Sequence, residues 1–295
     1  MQSQLELIKR HTNHGGQPLG DLLWWELANA SVSRPDLVKL WVQGGLPLEL
    51  LPDEPTAEKA FKTAARETQV GHPNRLLRLA MENEQETVFG IVHEQRDGSG
   101  GLQYHQEARI TLDHQSDSVQ SDQPADSMVQ KLMARFEELK TLHTTDDIRR
   151  TITKTLDSFA AVTLRQMGGV YWVPAPYASS LRRLQTAIER LGKSKMHLVP
   201  ITATKEGQAA LAQAAKASIE EELTALQTEM QQFLQTPPDR ASTLMRRLEH
   251  FDDLRRKASL YQTVLQAQVE GLAENLTAME QQVHSLLDEK RAKAA

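Results

Sequence analysis

The sequence predicts a mixed α+β chain that is predominantly helical, and three observations carry this prediction. Apolar residues recur at helical spacing near the N-terminus and in the middle of the chain, and three strand-like runs lie between residues 75 and 112. The last fifty residues repeat apolar side chains at alternating steps of four and three, the period of a coiled coil. We therefore expect N-terminal helices plus a β-hairpin, a winged-helix-like middle and a C-terminal antiparallel coiled-coil hairpin of long helices.

Composition excludes several classes of protein. The chain has 295 residues, enough for two or three domains, and no cysteine, so a disulfide framework, a thiolate zinc site and a cysteine nucleophile are excluded. The first twenty residues are polar, and no apolar run approaches the roughly 18 residues that a membrane span requires. We expect a cytoplasmic protein without a membrane partner.

Residues 1–113 are predicted to form an N-terminal α+β domain that begins with helices. Ser33 is suited to cap a helix with Pro35 in its first turn, and Gly44-Gly45 is suited to end it. The three predicted helices cover residues 22–27, 33–45 and 57–65. Three of the four tryptophans lie in this region, and we assign them to a core rather than to a stacking platform.

Three strands are predicted next, at Arg75–Met81, Thr87–Gln95 and Gln103–Leu112. The loop between the last two, Asp97–Gly101, contains three glycines, which permit the positive φ angles of a hairpin. A phosphate-binding loop would need a following lysine and helix, which the sequence lacks. The segment 114–126 is rich in Ser, Gln and Asp and is predicted to be a flexible linker.

Residues 127–204 are predicted to form a winged-helix-like basic domain. Helices at Met128–Leu139 and Ile148–Phe159 precede a hairpin of Val162–Arg165 and Val170–Val173, which is the element order of a winged helix. A further helix at 179–191 and a short strand at 196–200 complete the domain.

One face of the second of these helices is basic. Ile148, Ile152 and Leu156 lie on one side in helical projection, as a core-facing stripe would. The residues that we predict to bind nucleic acid are the polar residues of the opposite face together with nearby arginines: Arg149, Arg150, Thr153, Lys154, Arg165, Arg182 and Arg183. An ordinary α+β subdomain with a solvated basic helix is the alternative interpretation.

The charge is unevenly distributed along the chain. The formal net charge is −5, but the segment from Ile148 to His197 has nine basic and two acidic residues, a local charge of +7 against −12 for the remainder. A positive face on an acidic body suits a polyanion, with DNA preferred to RNA, or an acidic protein surface.

Residues 205–295 are predicted to form a coiled-coil helical hairpin. The first helix, to Gln235, would be about 45 Å long, and the second, Ser242–Lys290, about 73 Å, so the second would extend past the first by about 28 Å. We expect that end to be buried in a homo-oligomer. The predicted oligomerisation residues are Val269, Leu272, Leu276, Met279, Val283 and Leu286.

Two polar residues, Arg255 and Gln262, interrupt the apolar register of the last helix. A neighbouring stripe through Phe251, Leu254 and Tyr261 offers an alternative buried face, and the two stripes meet again at Leu265. We expect the helix to pack on its own chain before Leu265 and on another chain beyond it.

No catalytic site, cofactor site or metal site is visible in the sequence. The ten histidines lack a metal-binding or catalytic spacing, and the sequence has neither a Walker lysine nor a dinucleotide fingerprint. We expect a protein that is not an enzyme.

A resemblance extends over about residues 130–290. The stretch Leu164–Pro174 (LRQMGGVYWVP), the helix at Leu181–Leu191 and the run Lys257, Tyr261 and Leu265 resemble an uncharacterised family of bacterial, phage and plasmid proteins with no assigned activity. The resemblance implies a bacterial or mobile-element setting and assigns no functional residues.

These observations lead to two hypotheses about function. The first is a non-enzymatic nucleic-acid-binding protein that oligomerises through its C-terminal coiled coil. The second is a structural or assembly scaffold whose basic segment binds an acidic protein surface.

Overall fold

The predicted class, α+β and predominantly helical, is confirmed by a computed structural model in which 55% of residues are helical and 24% lie in strands. The structure describes residues 16–28, 30–70, 72, 74–96, 98, 101–164, 169–238, 240–266 and 270–294, with side chains to residue 288. Within those residues, no helix has both the length and the apolar character needed to cross a membrane.

The elements follow one another along the chain without long gaps. The strands are β1 (Pro18–Glu26), β2 (Val32–Ser33), β3 (Arg75–Glu82), β4 (Glu86–Arg96), β5 (Leu102–Asp113), β6 (Ser118–Ser121), β7 (Leu142–His143), β8 (Val162–Thr163), β9 (Tyr171–Pro174) and β10 (Lys195–Thr202). The α-helices are α1 (Arg34–Gly44), α2 (Ala57–Gln69), α3 (Ser127–Leu139), α4 (Thr145–Ser158), α5 (Ala178–Glu189), α6 (Lys205–Gln235), α7 (Ala241–Leu265) and α8 (Leu272–Ala294).

The chain divides into two compact units, called the first and the second unit. The first unit comprises residues 1–26, 153–188 and 195–295, and the second comprises residues 27–152 and 189–194. The predicted ranges 1–113, 127–204 and 205–295 do not coincide with these units, because the chain passes between the units several times.

The second unit is an antiparallel sheet with two helices on one face. The strand order is β3-β4-β5-β6, and α2 and α3 bury Phe61 and Phe136 against Ile91 and Ile110 of the sheet. The β4–β5 hairpin is confirmed by its antiparallel register, although most of its predicted loop (97, 99 and 100) lies outside the described residues. A separate pair, β2 and β7, also belongs to this unit, as do α1 and the first part of α4.

Local capping explains why helix α1 begins and ends as predicted. The Ser33 side chain accepts a hydrogen bond from the Asp36 backbone N–H (3.3 Å), Pro35 lies in the first turn, and Gly45 closes the helix at φ 57°. Helix α2 begins in the same way at Thr56.

The predicted helix at residues 22–27 is wrong, since these residues belong to strand β1. This strand lies between β10 and β9 in a sheet of order β10-β1-β9-β8, so residues 20–23 are paired on both edges. An interior strand with residues buried on both faces reads as a continuous apolar run, and such a run does not distinguish a strand from a buried helix.

The predicted flexible linker at 114–126 is also wrong. Strand β6 pairs with the end of β5, and Asp126 caps α3 by accepting hydrogen bonds from the N–H groups of Met128 and Val129. The Ser and Asp side chains of this segment satisfy backbone groups of turns and caps, so its polar composition does not prevent an ordered structure.

The first unit places three antiparallel helices beside its sheet. The predicted continuous helix from Ser242 to Lys290 is wrong: α7 ends at Gln266, which has a left-handed φ of 57°, and α8 begins after Gly271 at φ 68°. Ion pairs from Arg255 to Glu280 and from Lys257 to Glu222 place α8 and α6 on either side of α7. The predicted overhang of about 28 Å therefore does not exist.

The residues predicted for oligomerisation lie in the core of their own chain. Leu272, Leu276, Met279, Val283 and Leu286 are 0–8% exposed and share one apolar cluster with α6 and α7, while Val269 lies outside the described residues. The expected change of partner beyond Leu265 is therefore wrong. The shift of the apolar stripe is confirmed, because Phe251, Leu254 and Tyr261 are buried.

We predict that Gly20→Ala destabilises the first unit strongly. Gly20 has φ 140°, and a Cβ atom there would lie 2.0 Å from the Val173 carbonyl oxygen on the neighbouring strand. We expect a loss of about 3 kcal/mol or more, against about 1 kcal/mol for Gly271→Ala, where φ is 68° and the nearest atom is 3.5 Å away. Urea unfolding followed by circular dichroism measures both, and equal losses would contradict the close approach of β1 and β9.

A second prediction tests the intrachain burial of α8. Leu276 is 0% exposed, so Leu276→Asp places an unpaired carboxylate in the bundle and should cost about 4 kcal/mol or more. Leu234→Asp is the matched control, because Leu234 is 51% exposed. Thermal unfolding and light scattering provide the measurements. An L276D variant with unchanged stability and only an altered oligomeric state would show that the residue packs between chains.

Candidate nucleic-acid interface

Helix α4 carries the main predicted interface, and its N-terminus is fixed by a capping box. The Asp147 carboxylate accepts hydrogen bonds from the Thr144 N–H and hydroxyl (both 3.0 Å) and from Lys59 Nζ on α2 (2.7 Å). Burial alone would raise the pKa of Asp147, but these donors and the Lys59 charge hold it below its usual value. Asp147 is therefore a buried anion that joins α4 to α2 within the second unit.

The two faces of α4 are divided between core and solvent. Ile148, Ile152 and Leu156 are fully buried. The predicted contact residues Arg149, Arg150, Thr153 and Lys154 are all exposed. Arg149 donates to Asp146 (2.5 Å), but both side chains are 56% exposed, so this pair contributes little stability.

The remaining predicted contact residues differ in their surroundings. Arg182 on α5 donates to Asp21 (2.5 Å), whose side chain is only 4% exposed, so Arg182 neutralises a buried carboxylate. Arg183 is exposed and donates to the Ser180 hydroxyl (2.9 Å). Arg165 lies outside the described residues.

A junction in the first unit was not identified from the sequence. Lys257 of α7 is 12% exposed and donates to Asp157 at the end of α4 (2.8 Å) and to Glu222 of α6 (3.1 Å). One turn later, the Tyr261 hydroxyl donates to the Ala160 carbonyl (3.0 Å), and its ring lies 6.0 Å from that of Trp172. The signal in the sequence was the four-residue spacing of Lys257 and Tyr261, which places both on one helix face.

Electrostatics hold the Lys257 junction in its charged form. Burial would raise the pKa of Glu222, but the imidazole of His250 and the ammonium of Lys257 lower it below its usual value. Burial would lower the pKa of Lys257, but Asp157 and Glu222 raise it above its usual value. Burial, together with these two carboxylates, raises the pKa of the Tyr261 hydroxyl, which remains protonated at neutral pH.

The tryptophans are not all core residues, contrary to the prediction. Trp41 is fully buried, but Trp24 is 38% exposed and stacks on His197, with ring centroids 5.1 Å apart and planes 19° apart. Trp25 is partly buried and stacks on Tyr171 in a similar way. Alternation along β1 places Trp24 and Trp25 on opposite faces of the sheet.

Across the residues that the structure describes, no group of three His, Asp or Glu side chains could hold a metal ion.

The fold and this interface define an α+β protein of two units with a basic helix face exposed to solvent. The chain belongs to the family described as "Family of unknown function (DUF6744)", whose model matches residues 18–293. Neither the curated proteins nor the solved structures include a match.

We predict that Lys257→Met destabilises the protein by about 2 kcal/mol at pH 7, because it leaves two neighbouring carboxylates without their cation. Since the folded-state pKa of Glu222 is lowered, ionised Glu222 stabilises the folded protein at neutral pH. This stabilisation is lost as the pH falls below about 4. In thermal unfolding, the difference in melting temperature between wild type and Lys257→Met should become smaller as the pH is lowered from 7 to 3.

The matched control for this prediction is Lys216→Met. Lys216 pairs with Glu220 at 3.8 Å, both side chains are about half exposed, and we expect a change near zero. A Lys257→Met variant as stable as the control at pH 7 would refute the role assigned to the junction.

Proposed function

We propose that the protein binds nucleic acid through the exposed face of α4, with DNA preferred to RNA. The observation that carries the proposal is the division of this helix: one face is fully buried and the other offers Arg149, Arg150 and Lys154 to solvent. Guanidinium and ammonium groups on a helix with a fixed backbone are the groups that contact phosphates.

The local charge supports the same proposal. The segment 148–197 has a formal charge of +7 on a chain of net charge −5, and Arg149, Arg150 and Lys154 are three of its nine basic residues, so this face of α4 would attract a polyanion. Two acidic residues, Asp146 and Asp157, border the basic face, and both already pair with a basic side chain. A phosphate that replaced Asp146 at Arg149 would exchange one exposed contact for another at little cost.

The proposal does not depend on a complete winged helix or on a coiled-coil oligomer. The hairpin proposed as the wing, β8 and β9, also pairs with β1, and its tip near Arg165 lies outside the described residues. Arg183 is a further proposed contact. Arg182 would have to contact phosphate while it remains paired with Asp21. We also propose a cytoplasmic location, in keeping with a sequence that has no cysteine. The sequence resemblance implies a bacterial or mobile-element setting.

The test is a triple charge reversal, Arg149→Glu, Arg150→Glu and Lys154→Glu, measured by fluorescence anisotropy with labelled DNA at low salt. We expect at least a tenfold loss of affinity, and we expect wild-type binding to weaken steeply as salt is raised, because each phosphate contact releases counterions.

The matched control is Lys131→Glu, Arg246→Glu and Arg256→Glu. These residues are exposed on other helices, and Arg256 pairs with Asp253 three residues earlier, as Arg149 does with Asp146. Both triples change the net charge equally, so a similar loss in both would show a general charge effect. Wild-type protein that binds neither DNA nor RNA at low salt, but binds an acidic polypeptide, would favour the scaffold hypothesis instead.

A further inference from the structure

The sheet of the first unit carries an aromatic pair on a partly uncovered face. In the β1–β10 register, Trp24 lies opposite His197, Glu26 opposite Lys195 and Leu22 opposite Val199. Residues opposite one another in an antiparallel pair point to the same face, and so do alternate residues along a strand. These six side chains therefore form three rows on one face.

This face of the sheet is partly covered by helices and partly exposed to solvent. Leu22, together with Trp172 on β9, contributes to the apolar cluster that contains the helices α6, α7 and α8. Farther along β1, Trp24 is 38% exposed and Glu26 is exposed. On the edge strand β10, Val199 opposite Leu22 is 42% exposed, and Lys195 is exposed. The aromatic pair thus lies where this side of the sheet opens to solvent.

The Trp24 ring is oriented as well as exposed. Its stack on His197, at 5.1 Å with planes 19° apart, fixes the position of the indole. An isolated exposed apolar residue needs no explanation. A tryptophan held in place by a second ring and flanked by a lysine is the arrangement on which bases stack in proteins that bind single strands.

We propose that this aromatic patch, defined as Trp24, His197, Lys195 and Val199, binds unpaired bases of single-stranded nucleic acid. The inference rests on the proposed function and specifies the form of nucleic acid that the protein takes. An indole on a sheet surface can stack on an unpaired base, whereas the bases of a duplex are already stacked on one another. Lys195 supplies a phosphate contact, and Glu26, opposite Lys195 on β1, lies 4.0 Å from the Nε2 atom of His197.

The experiment compares a labelled 20-nucleotide oligo(dT) with a 20-base-pair duplex at low salt. We expect Trp24→Ala to weaken oligo(dT) binding by about 5- to 100-fold and to leave duplex binding within twofold of wild type. Trp24→Phe keeps a ring and should retain most of the affinity. Tyr104→Ala is the matched control, since Tyr104 is an exposed aromatic residue (57%) on β5 of the second unit.

Intrinsic fluorescence supplies a second readout that does not depend on the alanine variant folding. Oligo(dT) should quench the tryptophan emission of wild type, and Trp24→Phe should still bind but lose most of that quenching. Trp41 and Trp172 are fully buried, and the partly buried Trp25 lies on the opposite face of the sheet. Equal quenching in wild type and Trp24→Phe would overturn the proposal.

The outcomes separate the two proposals. If Trp24→Ala binds oligo(dT) as wild type does while the α4 triple reversal abolishes binding, the aromatic patch is refuted and the proposed function stands. If wild type binds neither the oligonucleotide nor the duplex, both are refuted. Equal losses of oligo(dT) and duplex binding in Trp24→Ala, or a loss of the same size in Tyr104→Ala, would also refute base stacking at Trp24.

Discussion

The first unit depends on the junction at which Lys257 and Tyr261 of α7 meet the end of α4. Both side chains reach partners about one hundred positions earlier: Lys257 contacts Asp157, and Tyr261 contacts the backbone of Ala160. Ala160 has a positive φ of 53°, so the Tyr261 hydrogen bond secures a backbone turn that a non-glycine residue adopts only at a cost. The Trp172 ring lies beside Tyr261 and connects the same junction to the sheet.

This junction has a consequence for the basic face of α4. The C-terminal part of the helix is fixed within the first unit by Lys257, and the N-terminal part is fixed within the second unit by Lys59 through Asp147. A helix restrained near both ends presents its exposed side chains from a defined backbone, so less conformational entropy is lost when those side chains bind. In the proposed function, the ion pairs would act on binding through the helix rather than through contact with a ligand.

The sequence correctly predicted those helices whose first and last turns are determined by capping residues within the helix or next to it. Ser33 and Gly45 define α1 because a hydroxyl cap and a left-handed glycine act within one turn. Strand β1 was missed because its identity comes from β9 and β10, which lie about 150 or more positions away. The end of α7, which Gln266 caps, was missed because the apolar repeat continues from α7 into α8. The same repeat is compatible with one long helix or with two helices packed against each other.

In the candidate interface too, the features set by local sequence could be predicted, and those set by distant residues could not. The faces of α4 follow from helical periodicity, so the exposed position of Arg149, Arg150 and Lys154 could be read from the sequence. The different surroundings of Arg182 could not, because its partner Asp21 is 161 positions away. Exposure of Trp24 likewise depends on which parts of the sheet are covered, and sequence alone does not reveal this.

Three of the residues that carried the family resemblance lie in the interior of the first unit. Trp172, Lys257 and Tyr261 are mostly buried and contact one another or the end of α4, so their role in the structure is to hold helices and sheet together. The match to the family extends over residues 18–293. Function resides in sites carried by a fold rather than in the fold itself. The side chains that we propose to bind nucleic acid are therefore exposed ones outside this motif, on α4 and at the open end of the β1–β10 pair.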